Sequence, residues 1–251
     1  MSDAPPAAGI TGSIIVTFAL PDESRPFVAA LAPAARTLHR GGPPELPTVV
    51  SYHGNNLIAV VHTGVGDTPE GRARLKTMLS TAEDLRGVIS AGYAGGLSPA
   101  LRLGDLVLGE NYSDPELAQV ARAALEGEAL HSGPVVTHGA AVETVADKAA
   151  LHAETGALAV DMETRWISNL CGWAGVPLLS LRVVSDPADQ PFPVPGGVLF
   201  DAARQRPRYA ALPWHLLTNP GRIGPFVGFV RGLGPGRTRL TEALIRLVET
   251  L

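Results

Sequence analysis

The chain has 251 residues, a formal net charge of −4, 45% hydrophobic and 18% charged residues, which is enough apolar material for one α/β domain. With no contiguous block of like charge, a nucleic-acid partner is not expected, since phosphate neutralisation shows as a basic patch or stripe. Cys171 is the only cysteine, Met1–Gly9 is an Ala/Pro tail without a basic start, and no run of about 18 apolar residues appears. An intrachain disulfide is therefore excluded, and a soluble cytoplasmic protein is expected.

The elements follow in chain order. Residues 1–12 are expected to be a flexible tail, with one domain over 13–251. Ser13–Phe18 is a β-branched run suited to a strand buried on both faces. Ala19–Arg25 is expected to form a polar corner, followed by an Ala-rich helical stretch to Leu38. Pro residues at 43–47 suggest a loop. Thr48–His53 and Leu57–Thr63 flank Gly54–Asn56 as a hairpin. Gly64–Val65–Gly66 follows, and Pro69 opens a helix to about Thr81. Gly87–Ala91 is a buried strand that runs into Gly92–Gly96, and Leu106–Gly109 is strand-like. Helices are expected at about 115–126 and 144–155, with a strand at Val135–Thr137 between them. Ala157–Val160 leads into a helix over Glu163–Trp173. Pro177–Val184 is the last clear strand, and the regular alternation ends near residue 187. This order predicts a mixed or largely parallel sheet covered by helices on both sides. In such sheets ligands bind beyond the carboxyl ends of strands.

Three strand ends carry unusual chemistry. Glu163, at a strand–helix junction, has the carboxylate to accept hydrogen bonds from two vicinal hydroxyls such as ribose offers; an acid there also simply offsets a helix dipole. Met162 beside it can pack on a sugar or serve the core. Asp186 follows an apolar run and is either a turn former or a general acid, tuned in a dry site to protonate a purine leaving group. Gly92–Gly96 is either a tight strand-to-helix connection or a place where backbone approaches a flat ligand. It lacks the GxGxxG spacing of a dinucleotide site.

Taken together, TGVG at 63–66, AGYAGGLSPALRLGDLV at 91–107, AVDMET at 159–164 and LRVVSDPAD at 181–189 resemble the 5′-methylthioadenosine/S-adenosylhomocysteine nucleosidases of the purine nucleoside phosphorylase superfamily, in order and spacing across roughly residues 13–190. The resemblance implies a single α/β domain with a mixed twisted sheet flanked by helices. It implies cleavage of the N-glycosidic bond of an adenine nucleoside carrying a 5′-substituent, with the base released by hydrolysis. Met162 and Glu163 would contact the ribose. Asp186 would protonate N7 with Ser185 assisting, and Gly95 would lie against the ligand. Glu23 would activate water. A competing match of Asp22–Arg25 to a phosphate-binding segment makes Arg25 a phosphate ligand and the reaction phosphorolytic, with a second cation to come from Arg72, Arg74 or a neighbouring subunit. No cofactor and no metal are expected, and the partner is a small-molecule nucleoside. A homo-oligomer is expected, a dimer by preference.

The chain also departs from the family pattern. Tyr93 stands where those nucleosidases carry a small Ser. The position of their base-stacking Phe falls near Ala141–Val142, and the stretch between Asp114 and Val135 is short. These losses keep open a non-catalytic nucleoside- or lipid-binding member. Residues 207–237 form an apolar Gly/Pro/Arg-rich addition, before an amphipathic terminal helix at Thr241–Leu251. That addition can pack on its own domain, cross a dimer interface, or make a peripheral membrane contact. It also resembles the arginine- and leucine-bearing tails of the hopanoid-associated phosphorylase branch, which implies an apolar polycyclic 5′-substituent as in adenosylhopane. The seven histidines show no metal-ligand spacing, and Cys171 is expected to be a buried apolar residue.

Overall fold

The computed structural model of the protein describes residues 12–31, 36–39, 46–201, 206–207 and 211–251. The chain runs β1 (Gly12–Phe18), α1 (Pro21–Ala30), β2 (Arg36–His39), β3 (Thr48–His53), β4 (Asn56–His62), α2 (Pro69–Thr81), β5 (Leu85–Gly96) and β6 (Leu106–Gly109). It continues through α3 (Pro115–Ala124), β7 (Leu130–Gly133), β8 (Val135–Thr137), α4 (Val145–Thr155), β9 (Ala159–Asp161), α5 (Thr164–Ala174) and β10 (Leu178–Asp186). There follow α6 (Gly196–Leu199), β11 (Phe200–Asp201), β12 (Arg206–Pro207), α7 (Ala211–Thr218), a 3-10 turn at Pro220–Arg222, and α8 (Ile223–Thr250).

Ten strands form one mixed sheet in the order β2-β3-β4-β1-β5-β10-β6-β7, with β9 paired to both β5 and β8. The central strands β4, β1, β5 and β10 are parallel. Alternation along β1 explains why every residue of it is buried. Ile14, Val16 and Phe18 point into a core with Phe27 of α1, Ala118 of α3 and Leu240, Leu244 and Leu247 of α8. Ile15 points the other way, toward Leu75 of α2 and Trp166, Ile167 and Leu170 of α5. A mixed sheet with helices on both faces is thus the observed fold, as the sequence pattern predicts.

Local chemistry sets several boundaries. Thr68 caps α2 through Gly71 N–H, with Pro69 at the first helical position. The β3–β4 hairpin closes through Gly54 and Asn55, with His53 opposite Asn56. The expected flexible tail lies outside the described residues apart from Gly12, which opens β1; the loop at 43–47 is described from residue 46 only.

Three expectations need correction, and one strand adds to them. The polar corner at Ala19–Arg25 is largely the first turn of α1, because Pro21 and two acids favour a helix start. The helical stretch to Leu38 stops at Ala30, and residues 36–39 form an edge strand paired with β3; Pro33 in the sequence cannot continue a helix. Gly92–Gly96 is not a strand-to-helix connection but the last part of β5, which outruns β1 to pair with β9 and β10. Strand β7, lying parallel to β6, was not anticipated.

The Gly- and Pro-bearing stretch from Ile223 joins the terminal segment in one 28-residue helix with Pro235 inside it. Its second half buries Leu240, Ala243, Leu244, Leu247 and Val248 on the sheet, at helical spacing. Leu244→Ala leaves a cavity at a fully buried position and is expected to cost about 2–5 kcal/mol, read as a lower urea midpoint at unchanged m-value.

Candidate active site

The site lies where β5, β9 and β10 end together. Arg182 sits on β10, directly opposite Gly92 of β5, and is almost wholly buried. Its Nε and Nη2 donate to Asp161 Oδ2 at 2.9 and 2.6 Å, and Nη2 also reaches Ser90 Oγ at 2.8 Å and Thr164 Oγ1 at 2.6 Å. Asp161 completes its shell with Thr137 Oγ1 at 2.7 Å and the backbone N–H of Thr164 at 3.0 Å. Asp161 therefore caps α5 as well as pairing with Arg182.

Glu163 occupies the N-cap position of α5 but makes no capping bond. Its Oε1 instead accepts the Gly66 N–H at 2.7 Å, a residue 97 positions earlier. This is more than the helix-dipole role that an acid at a helix start can play. Burial and the charge of Asp161 push its carboxyl upward, against Arg182 and the backbone donors of Gly66 and Met162. Met162 is half-buried, with its terminal methyl beside Gly66.

Glu23 enters from the first turn of α1. Its Oε2 is enclosed and has no hydrogen-bond partner among the described residues. It faces a cavity of about 20 Å³, lined among others by Thr63, Ser90, Tyr93, Glu163 and Arg182, which is room for about one water. Burial, with the charge of Glu163 adding to it, pushes the Glu23 carboxyl up to about 8. Gly92 makes this packing possible: with φ +151, a Cβ there would stand 3.1 Å from Glu23 Oε2 and 3.4 Å from Arg182 Nη1.

Asp186 stands at the end of β10, on the far side of β5 from β1. A register shift between Val184 and Asp186 leaves Ser185 as an extra residue and re-aims the chain beyond it. Gly95 lies opposite Asp186, where a Cβ would come within 3.3 Å of Asp186 Oδ2. Ser185 Oγ is 2.5 Å from Asp186 Oδ1. Asp186 Oδ2 pairs at 2.6 Å with Lys148, whose side chain is 0% exposed. Lys148 Nζ also meets the carbonyls of Asp186 (3.2 Å), Pro187 (2.9 Å) and Gln190 (2.8 Å). Burial raises the Asp186 carboxyl, while Lys148 and Ser185 pull it back down.

The structure thus brings Glu23, Tyr93 and Glu163 around one cavity and seats Gly95, Ser185 and Asp186 on the neighbouring strand ends. Val142 packs near Val160, whereas Ala141 is exposed beside Gly196. Arg25 is not part of the cavity: its side chain is 73% exposed and pairs with Asp22. Arg72 pairs with Asp67 and covers the Trp166 ring, while Arg74 donates to the His62 carbonyl at 2.5 Å. Burial raises Cys171 to about 12, which leaves it an unreactive thiol.

Sequence reasoning missed three residues. Arg182 carried a signal, because a lone charge inside the apolar run Leu178–Val184 demands a partner. Asp161 was overshadowed by Glu163. Lys148 carried only a faint one: it shares a helix face with Leu151, three residues on.

A profile described as the phosphorylase superfamily matches residues 13–114 and 109–211. The chain belongs to the phosphorylase superfamily. Within it, the chain is 32% identical over 126 residues to futalosine hydrolase of Streptomyces coelicolor, covering 40% of this chain and 53%, about half, of that enzyme. It is 29% identical over 165 residues to 5′-methylthioadenosine/S-adenosylhomocysteine nucleosidase of Baumannia cicadellinicola, covering 55% of this chain and 71% of the relative. Among solved structures, a Helicobacter pylori nucleosidase of that name in complex with a pyrrolidinol ligand aligns at TM-score 0.71 with 18% identity, covering 97% of this chain and 100% of that one. The futalosine hydrolase of Helicobacter pylori aligns equally well, at TM-score 0.71 and 18% identity over 96% and 99% of the two chains. The superfamily fold therefore extends over nearly the whole chain.

Lys148→Met removes the donor from a buried carboxylate and three carbonyls, and is expected to destabilise the protein by roughly 3–5 kcal/mol. Without Lys148 the folded-state pKa of Asp186 rises further above its unfolded value. The deficit should therefore be smallest below the ordinary aspartate range and grow as pH rises toward the folded pKa. Urea melts across pH check both the size and the direction.

Proposed function

We propose that the protein hydrolyses the N-glycosidic bond of an adenine nucleoside bearing a 5′-substituent, using water activated by Glu23. The observation that carries this reading is the unpartnered, enclosed Oε2 of Glu23, facing a water-sized cavity shared with Glu163 and Arg182. A general base must lie within hydrogen-bond reach of the proton it removes, and here a carboxylate oxygen and a space for one water adjoin. The superfamily assignment and the names of the two relatives support the same class of reaction.

Each residue then has a task. Glu163, held by the Gly66 N–H, accepts hydrogen bonds from the ribose hydroxyls through its remaining carboxylate capacity, with Met162 against the sugar. Asp186 carries a proton to N7 of the base. Burial favours its protonated form, Ser185 and Lys148 orient it, and Gly95 leaves room for the base beside it. Cleavage then moves the glycosidic electron pair onto the protonated purine, water adds to the anomeric carbon, and Glu23 takes the water proton. Arg182 keeps two buried carboxyls close together without full mutual repulsion.

Phosphorolysis would need an anion site at the same place. The exposed position of Arg25, already paired with Asp22, favours water instead. A homo-oligomer, with a dimer as the simplest form, belongs to the same proposal.

Four measurements test this. Adenine release from adenine nucleosides should yield free sugar at a rate indifferent to phosphate; phosphate-dependent formation of a sugar 1-phosphate would overturn hydrolysis. Glu23→Gln and Asp186→Asn should each lower kcat by about 10²-fold or more, whereas Arg25→Ala should be mild. The kcat/KM profile should rise with pH along a limb whose apparent pKa lies above the ordinary carboxylate range, because Glu23 must be ionised to act as base and burial displaces it upward; ionisation of the acid Asp186, also displaced upward, should produce the falling limb. A rising limb at an ordinary carboxylate value would remove Glu23 from the rate law, and a profile with no falling limb would remove Asp186. Glu163→Gln should weaken binding and turnover, and substrates lacking the 2′ and 3′ hydroxyls should lose little further activity in that variant.

A further inference from the structure

We infer that α7, the 3-10 turn and the first half of α8 form a surface that rests on an anionic phospholipid bilayer. Between Asp201 and Glu242 the sequence carries seven arginines and no Asp or Glu, in a chain whose net charge is −4. The described part of this segment is also unusually apolar at its surface. Trp214 and Leu217 of α7 are 69% and 73% exposed, and Ile223, Val227 and Val230 of α8 are exposed as well. The last three stand at i, i+4 and i+7, so they form one stripe along the helix. Arg222 and Arg231 flank that stripe and are themselves exposed.

The opposite side of the same helical stretch already has its contacts. The Phe229 ring meets Phe192 edge-on at 5.2 Å, and the Leu233 carbonyl lies 3.4 Å from the Tyr93 hydroxyl. From Gly236 onward the helix packs on the domain. The outward stripe is therefore a second apolar face on a helix whose inner face is satisfied.

Charge decides between occupants. A second copy docked through the same patch would set arginine-flanked stripes against each other, with no carboxylate between Asp201 and Glu242 to pair with them. An anionic bilayer offers both halves of what this face lacks: phosphate charge for the arginines, and an acyl boundary for Trp214, Leu217 and the α8 stripe. The contact is interfacial, since no helix among the described residues is long and apolar enough to cross a membrane.

Docking there has a consequence for the site. Arg237 donates to the carbonyl of Asp22, next to Glu23, and Phe229 touches the loop that follows Asp186. Helix α8 thus joins the bilayer face to both sides of the pocket. The pocket's role rests on the proposed nucleosidase reading; the docking itself does not.

Vesicle co-sedimentation of the full chain tests the docking without any catalysis. The protein should pellet with vesicles of phosphatidylcholine mixed with phosphatidylglycerol, and far less with phosphatidylcholine alone or at high salt. R222E/R231E should lower partitioning by about tenfold or more, and W214S/L217S/V227S should do the same through the apolar contact. Both variants should keep wild-type thermal unfolding, since every changed side chain is exposed. Equal binding to neutral and anionic vesicles, no binding at all, or binding unchanged in both variants would overturn the inference. So would a dimer in light scattering that both variants convert to monomer, because a second copy would then be the occupant.

Discussion

A guanidinium in the middle of a sheet with helices on both sides can remain charged only if carboxylate and hydroxyl groups surround it. Arg182 is in that position, and Asp161 is the group that answers it, through two donors onto one oxygen. The pair spans β5, joining the last parallel strand of the central sheet to the end of the short antiparallel β9. Because Asp161 also caps α5, the same carboxylate fixes where that helix begins and hence where Glu163 stands. Removing either partner would leave a buried charge without compensation and loosen three elements at once.

Around that pair the sheet uses glycine to bring acids close together. Glu23 and Arg182 converge over Gly92, and Asp186 and Val160 converge over Gly95. The strand that carries these glycines outruns its neighbour β1, so its last residues are flanked by β9 and β10, with Glu23, Arg182 and Asp186 packed close to their backbone. Carboxyls so enclosed are held above their ordinary range by lost hydration, with Arg182 and Lys148 limiting the rise. Raised acids of this kind are suited to proton transfer near neutral pH.

Lys148 and α8 extend the same logic outward. Lys148 ties the 186–190 loop to α4 through three carbonyls, so the orientation of Asp186 depends on a helix distant from it in sequence. Helix α8 closes the other side, with its second half in the core and its first half over the pocket rim. A helix that carries both duties couples whatever covers its outer face to the first turn of α1, which holds Glu23, and to the loop that follows Asp186.

The sequence by itself determined the mixed α/β architecture, most element positions, and the candidates Glu23, Glu163 and Asp186. The architecture, Glu163 and Asp186 were legible because strand alternation, Pro and Gly punctuation, and acids at strand ends are local signals, whereas Glu23 was implied by the family resemblance alone. Tertiary structure alone decided which acid is saturated by structural partners and which keeps carboxylate capacity facing the cavity. Asp161 and Glu163 lie two residues apart and look alike in sequence, yet one is saturated by Arg182 and the other reaches Gly66 across the fold. It likewise decided that Arg25 turns outward while Glu23, two residues earlier, turns inward. Lys148 left only a faint local signal, because a helical lysine is ordinarily solvated, and its burial follows from acceptors on a loop some 40 residues away. The reason is common to all three: hydrogen-bond partners and exclusion from water are set by residues distant in the chain, and no local pattern encodes them.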